Sequence, residues 1–210
     1  MSETVAVRVG RARVGEPLHD ALERAERHEL RALSGERLDA PTRVALAWDG
    51  GALALRAWVE SAPPIRTAVV TPNGPVWEDE CVELFVSAPG EPARYVEVVV
   101  NALGVAYAAN VYNPAGSRAS WAITRGVAIE GLRASAEGEG GTPDGFRRWI
   151  ATIELPWRSC GGPPSAGEVR AGNVTRIARG RTTRFEALSP TLRTAPPDFH
   201  VPARFAQLGF

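Results

Sequence analysis

Two glutamates inside apolar stretches are the residues of this sequence best placed to do chemistry. Glu83 lies in the run CVELFV and Glu97 in the run YVEVVV, and both runs have the composition of β-strands. Acidic residues are depleted in strands unless they face water or have a task. Two carboxyl groups about 5–9 Å apart on either side of a cleft can act as acid and base in glycoside hydrolysis. Local pattern says nothing about that separation, so a catalytic role for the pair is one alternative among several.

An aromatic ring precedes the first of these strands in a polar segment. Trp77 stands directly before Glu78, Asp79 and Glu80. A tryptophan in such a segment can be a stacking platform for a ligand or can cover the end of a sheet, and both interpretations stay open. The three acids could bind calcium, but consecutive residues cannot all point at one ion from a strand, and the EF-hand spacing is absent. A solvated turn is the preferred interpretation of these acids.

A β-hairpin is predicted to position the two glutamates. Residues 81–86 alternate, so that Cys81, Glu83 and Phe85 share one face while the three residues between them share the other. Residues 87–92 (SAPGEP) have the composition of a turn, and residues 95–100 form the second strand. The hairpin would therefore bring Glu83 and Glu97 onto neighbouring strands.

The remaining pattern predicts many short strands and one helix. Residues 17–33 have apolar residues on one helical face, although their second half (HELRALSG) could also be a strand. Residues 43–48 and 52–60 alternate around an Asp-Gly-Gly turn, which is a strong hairpin signal. About ten strands in all, separated by frequent Gly and Pro, indicate an all-β protein. We expect residues 1–210 to form a single antiparallel β-sandwich of the immunoglobulin or jelly-roll kind.

Composition excludes several classes of function. The 24 basic residues balance 24 acidic ones, so the chain has no electrostatic footprint for nucleic acid or for an anionic membrane. The first residues lack the pattern of a signal peptide, and no stretch approaches the ~20 apolar residues of a membrane helix. We therefore expect a cytoplasmic protein. Cys81 and Cys160 are expected to be free thiols, which fits a reducing compartment.

The order of these segments resembles that of the family 9 carbohydrate-binding modules and the wider group of DOMON-like sandwiches. Six stretches carry the resemblance, and they cover most of the chain after Arg43: ALAWDGGALALRAWVE, VWEDECVELFV, ARYVEVVVNALG, WIATIELPW, GEVRAGNVTRIARG and ALSPTLRTAPPDFHVPARFAQLGF. The resemblance implies a β-sandwich with a ligand site on one sheet or at its rim. It implies sugar binding in one branch of these proteins and haem binding in another.

In the sugar-binding branch, two aromatic rings enclose a terminal sugar and polar side chains bind its hydroxyls. The chemistry is reasonable because sugar C–H faces pack on aromatic faces, while hydroxyls need fixed donors and acceptors. Trp77 and Glu83 match the first ring and an acid of that pattern. Phe185 stands where a second tryptophan is expected, so the opposing ring is smaller here. The resemblance implies further polar contacts from Arg94, Asn101, Asn173 and Arg176.

Histidine and arginine residues leave alternatives open. Arg176 and Arg179 could grip a ligand or pair with the strand glutamates across the sheet. Bis-histidine haem ligation would need two of His19, His28 and His200, and Met1 is the only methionine, so haem is not expected. A structural role is preferred for His200.

The function predicted from the sequence is therefore non-catalytic binding of a carbohydrate end or another polyol. Trp77, Glu83, Arg94, Asn101, Arg176 and Phe185 are the predicted ligand-binding residues. No cofactor, metal, nucleic acid or membrane partner is expected. Two other classes stay open: an enzyme acting on a sugar derivative through Glu83 and Glu97, and a module whose aromatic rim meets a protein partner.

Overall fold

A computed structural model describes residues 4–210, and most of its regular structure is β-strand. In chain order the strands are β1 (Ala6–Arg8), β2 (Gly10–Arg11), β3 (His28–Glu29), β4 (Arg31–Ala32), β5 (Arg43–Trp48), β6 (Ala52–Glu60), β7 (Cys81–Ala88), β8 (Glu91–Asn101), β9 (Ala106–Tyr112), β10 (Ala122–Arg125), β11 (Arg133–Glu139), β12 (Arg148–Pro156), β13 (Val169–Arg179), β14 (Thr183–Ala187) and β15 (Ala206–Gly209). One α-helix, α1, spans Leu18–Arg24. Short 3-10 turns span Val76–Glu78, Pro143–Gly145, Trp157–Cys160 and Pro202–Arg204.

The strands form two sheets packed face to face, as predicted for a β-sandwich. The larger sheet has the order β1-β15-β13-β7-β8-β9-β10, with β14 pairing with both β13 and β4. The smaller sheet has the order β11-β12-β6-β5-β2, with β3 also pairing with β5. Two pairs, β1 with β15 and β2 with β5, are parallel, while the other described pairs are antiparallel. The sheets are therefore mixed rather than purely antiparallel.

Alternation along β7 divides the interior into two cores. Val82, Leu84 and Val86 point into the main core between the sheets. Cys81 and Phe85 point to the other face, where a second apolar cluster includes Tyr95 and the tail residue Phe199. The outer face of the larger sheet is thus covered by the end of the chain instead of facing water. The predicted alternation is confirmed, and it places Glu83 on this covered face.

The helix predicted over residues 17–33 is less than half that length. α1 ends at Arg24, and Ala25 is already extended with ψ of 151°. Leu22 packs on the outside of the smaller sheet, Leu30 lies in the main core and Leu33 lies in the second cluster. The leucines match a helical period, but they bury in three different places. Pairing of β3 with β5 and of β4 with β14 takes up the backbone hydrogen bonds instead.

The β7–β8 hairpin is longer than predicted and its turn is tighter. The strands continue to Ala88 and resume at Glu91, so only Pro89 and Gly90 connect them. Gly90 has φ of 69°, a left-handed conformation that glycine adopts without a steric penalty. A register shift between Ser87 and Ala88 accommodates the extra residues of β8. The two long strands of this hairpin form the centre of the larger sheet.

Candidate functional site

A cavity of about 260 Å³ opens on the covered face of the larger sheet. Its lining combines aromatic rings, buried acids, one histidine and arginines, contributed by strands, loops and the chain's tail. The residues are Trp77, Glu83, Glu97, Tyr107, Arg118, Trp121, Ile123, Arg125, Ile177, Arg179, Phe185, Pro197, Phe199 and His200. We call this space the central cavity.

The floor of the central cavity carries the two strand glutamates. Glu83 lies opposite Val99, and Glu97 lies opposite Phe85, so the two acids are diagonal neighbours on one face of the β7–β8 pair. They are only 2% and 5% exposed. The hydroxyl of Thr175, on the adjoining strand β13, donates to Glu83 Oε2 at 3.0 Å. No arginine or lysine among the described residues forms a direct ion pair with either acid.

Burial without a direct cationic partner shifts both acids toward their neutral forms. Desolvation raises the pKa of Glu83 to about 7, although the Thr175 hydroxyl and the positive charges of Arg118 and Arg179 oppose the shift. Desolvation and the nearby Glu83 raise the pKa of Glu97 to about 8. Near neutral pH the cavity floor can therefore donate as well as accept hydrogen bonds.

His200 closes one side of the cavity and is held from several directions. Its Nδ1 lies 2.8 Å from the Tyr95 hydroxyl, and its Nε2 lies 3.6 Å from Glu97 Oε1. Its backbone carbonyl accepts from the Asn113 side chain, and its backbone N–H donates to Asp198. Burial and the positive charge of Arg118 lower the pKa of His200, so we take the imidazole as neutral and the contact with Glu97 as uncharged.

A structural role is the preferred prediction for His200. The structure confirms that it holds the tail, and it also places the ring in the wall of the cavity. Sequence gave no sign of its partner Tyr95, which is 105 positions away.

Aromatic rings form the walls. Trp77 sits in the 3-10 turn before β7, half-buried, with its ring edge-on to Tyr107 at 4.8 Å between centroids. Phe185, on β14, packs edge-on against Phe199 at 5.9 Å. Trp121 lies against His200 at 4.7 Å. Trp77 and Phe185 therefore line the same cavity as Glu83.

Arginines line the rest of the cavity. Arg118 donates to Asp198 at 2.9 Å and lies 5.5 Å from the Trp121 ring centroid. Arg125 lies 5.8 Å from the same centroid. Arg179 donates to the backbone carbonyl of Trp77 at 3.3 Å. These arginines were not predicted together. Arg118 lies in a loop and Arg125 on the edge strand β10, and local sequence pattern does not indicate that residues at such positions reach a cavity.

Three of the predicted binding residues lie outside the central cavity. Arg94 is exposed at the far end of β8, where it pairs with Glu91 and lies over the Tyr112 ring. Asn101 is fully buried and binds the Val69 carbonyl and Asp79. Arg176 is opposite Val82 in the β13–β7 register, so its side chain points into the interior on the core side. Asn173 likewise exchanges hydrogen bonds with the backbone of Ser189.

The Arg176 side chain is the centre of a separate buried ion cluster. Its guanidinium donates to Glu80 Oε1 at 2.6 and 2.9 Å and to Glu186 Oε1 at 3.2 Å. Further acceptors are Thr42 Oγ1 and the Glu60 carbonyl. The partners are thus not the strand glutamates considered from sequence, because Arg176 and Glu83 project from opposite faces of the sheet.

The three acids after Trp77 separate, and two of them are buried rather than solvated as expected. Glu78 is exposed and pairs with Arg66. Asp79 accepts from the backbone of Ala68 and Val69, while Glu80 joins the Arg176 cluster. Among residues 4–210, histidine, cysteine and acidic side chains nowhere gather in a group of three or more that could hold a metal ion.

The histidines and cysteines are dispersed. His19 lies on α1, His28 on β3 and His200 in the tail. Met1 lies outside the described residues. Cys81 and Cys160 are both buried free thiols, as predicted. Within residues 4–210, none of the helices has the length and apolar character needed to span a lipid bilayer.

A wider groove lies away from the central cavity, with a volume of about 1020 Å³. Arginines such as Arg27, Arg31 and Arg43 line it, but its described lining contains no tryptophan, tyrosine or phenylalanine. Size alone would favour this groove. We favour the central cavity because it alone of the two joins aromatic faces to buried polar groups, which is the usual make-up of a small-molecule site.

The two-sheet fold is shared with several solved proteins. A candidate carbohydrate-binding protein from Bacteroides uniformis superposes with a TM-score of 0.77 at 22% identity, over 99% of this chain and 100% of that one. Two structures of a family 9 carbohydrate-binding module from Caldicellulosiruptor kristjanssonii, one with cellotriose and one with glucose, both give TM-scores of 0.61. Their identities are 15% and 13%, and they match 99% of this chain and 93% and 95% of their own length.

At these identities the likeness shows the fold, and it confirms at that level the resemblance predicted from the sequence. No protein-family model matches the chain, and none of the curated proteins compared with it does so either.

Proposed function

We propose that the protein binds the end of a saccharide, without transforming it, in the central cavity. The observation that carries the proposal is the joint presence of Trp77, Phe185 and Trp121 with the buried polar groups of Glu83 and Glu97 in one cavity. Apolar ring faces suit the C–H faces of a sugar, and the acids suit its hydroxyls. Structural neighbours described as binding carbohydrate support the same class of ligand.

The size of the cavity favours one sugar ring. Its volume of about 260 Å³ falls just below the ~300–1,000 Å³ of sites for drug-sized ligands. Trp77 serves as a stacking platform and Phe185 as a second ring, while Glu83 and Glu97 bind hydroxyls. Of the other residues predicted from sequence, Arg94, Asn101 and Arg176 are left out of the proposed site because their side chains are committed elsewhere.

Titration with mono- and disaccharides, followed by tryptophan fluorescence and calorimetry, tests the proposal. We expect saturable binding of at least one sugar and a loss of at least about tenfold in affinity, ~1.4 kcal/mol, in Trp77→Ala. Trp58→Ala is the matched control, since Trp58 is also half-buried but packs near α1 on the smaller sheet. Absence of binding at millimolar sugar, or equal losses in the two variants with folding intact, would contradict the proposal.

A second candidate function is catalysis on a sugar derivative. The observation that favours it is the raised pKa of Glu83 and Glu97, about 7 and 8, since such shifts are frequent in acid–base sites. If the protein is an enzyme, Glu97→Gln abolishes turnover while sugar binding persists. Turnover that is unchanged in Glu83→Gln and Glu97→Gln would exclude this role for the pair.

A further inference from the structure

The charges around the central cavity are unevenly distributed. Arg118, Arg125 and Arg179 contribute three positive charges to its lining, and the acids of the floor are buried without a direct ion pair to any of them. Asp198, which binds Arg118, is the one acid among residues 4–210 that forms an ion pair with the side chains of these arginines. Arg125 is exposed and forms no ion pair with any residue that the structure describes. The cavity mouth is therefore positive.

A second, independent observation is a buried hydrogen-bond donor without a partner, which indicates a binding site for a ligand group. The Nε–H of Arg179 is buried and has no hydrogen-bond partner within residues 4–210. Its Nη1 and Nη2 have only long contacts, 3.4 Å to Thr183 Oγ1 and 3.3 Å to the Trp77 carbonyl. Leaving a charged donor buried and unpaired is costly, so such groups normally have a partner. The Arg179 side chain, which carries this unpaired Nε–H, also lines the central cavity.

The positive groups also surround an aromatic ring. Arg118 and Arg125 both lie within 6 Å of the Trp121 centroid, at 5.5 and 5.8 Å. Stacking on the ring restrains guanidinium groups without using their hydrogen-bond donors. Arg118 is paired with Asp198, so Arg125 is the group that remains available to a planar carboxylate, which arginine recognises with two parallel hydrogen bonds.

We propose that the preferred ligand of the central cavity is an acidic saccharide end, a sugar unit that carries a carboxylate, bound by Arg125 beside Trp121, with Arg179 adding positive charge from β13. This inference rests on the proposed function, because it takes saccharide binding for granted and names the class of saccharide. The sugar ring packs on Trp77, and its carboxylate lies toward the arginines rather than toward the acids of the floor.

Calorimetry with matched sugars tests the proposal. D-Glucuronate, D-galacturonate and D-mannuronate are each compared with their neutral parent hexose, and glucuronate also with D-glucuronamide, which has the same ring and no charge. At pH 6 and low salt we expect one uronate to bind at least about tenfold more tightly than its neutral counterpart. The preference should fall below about threefold in Arg125→Gln, and it should shrink as salt is raised.

Arg133→Gln provides the charge-matched control. Arg133 lies on β11 of the smaller sheet with its side chain 80% exposed. The substitution therefore removes the same charge as Arg125→Gln, but from a distant surface. This variant should keep the full uronate preference. Equal binding of uronates and neutral hexoses would overturn the acidic-ligand proposal and leave saccharide binding in place. A preference for uronates that Arg125→Gln and Arg133→Gln reduce by the same factor would do the same. Failure of every sugar to bind would overturn both proposals.

Discussion

The larger sheet contains two buried polar clusters that differ in one respect. In the first, Arg176 is 1% exposed and every nitrogen of its guanidinium has an acceptor, chiefly from Glu80 and Glu186. In the second, Glu83 and Glu97 are nearly as buried but have no direct cationic partner, and a neighbouring arginine nitrogen is unpaired. The contrast separates a fully paired ion cluster from the polar cluster of the proposed ligand site, whose pairing among residues 4–210 is incomplete.

The pairing of β13 with β7 places the two clusters on opposite faces of the sheet. Arg176 lies opposite Val82 and Thr175 lies opposite Glu83, so successive residues of β13 and β7 serve opposite faces of the sheet. A shift of one residue in this register would exchange the two clusters. On the core-facing side, the complete set of ion pairs and hydrogen bonds around Arg176 holds the ends of β5, β6, β7 and β14 together. On the outer face, the incomplete pairing leaves polar groups that can bind the proposed ligand.

Removing the central cation of the structural cluster should have the largest effect. Arg176→Ala leaves Glu80 and Glu186 buried without their partner, and breaking a buried pair in this way costs about 3–5 kcal/mol. We expect the free energy of unfolding in urea to fall by that amount, or the variant to be unfolded. Arg133→Ala, a surface ion pair with Glu154, should cost less than about 1 kcal/mol. Losses of similar size in both variants would contradict the distinction between the clusters.

The pH dependence of stability should distinguish the second cluster from the first. The folded-state pKa values of Glu83 and Glu97, about 7 and 8, lie above the ordinary value of 4.5. A group whose pKa is higher in the folded state than in the unfolded state stabilises the fold fully when the pH is below its unfolded-state pKa. That stabilisation is lost as the pH rises through its folded-state pKa. We therefore expect the free energy of unfolding to fall between about pH 4.5 and pH 8.

Urea unfolding of the wild type and of Glu83→Gln/Glu97→Gln across this range checks the expectation. The groups facing the acids are Thr175, His200, Tyr95, Tyr107 and the arginines of the cavity. Burial lowers the folded-state pKa of His200 to about 3, whereas the unfolded imidazole titrates near 6.5, so His200 opposes part of the fall below about pH 6.5 in the wild type and in the variant alike. The double variant keeps His200 but lacks the two acids, so it should not show the fall and should be the more stable protein near pH 8. Profiles with the same slope in the wild type and the double variant would show that the acids are ionised in the folded state.

Local sequence pattern predicted the strands that form the site better than it predicted which residues line it. Alternation along residues 81–86 placed Glu83 and Phe85 on one face, and the structure agrees. The same reasoning could not assign Arg176, because its face depends on the register between β13 and β7, whose paired residues lie about ninety positions apart in the sequence. His200 and Arg118 reach the cavity from a tail and a loop whose paths are set by tertiary packing. Helical periodicity misled at residues 25–33, because Leu30 and Leu33 bury in different cores.

The smallest effect should come from enlarging the second ring, which is the point where the chain departs from the two-tryptophan pattern implied by its resemblance. Phe185 is half-buried and already packs edge-on against Phe199, so its variant Phe185→Trp keeps that contact and adds ring area toward the cavity. With burial worth about 25 cal/mol per Å², a gain of two- to fivefold in sugar affinity is expected, less than ~1 kcal/mol. Tyr112→Trp, on an exposed ring outside the cavity, controls for an added indole and should leave affinity unchanged. Weaker binding in a folded Phe185→Trp would mean that the ring fills space the sugar needs, and the ligand would then be held by Trp77 and the polar floor alone.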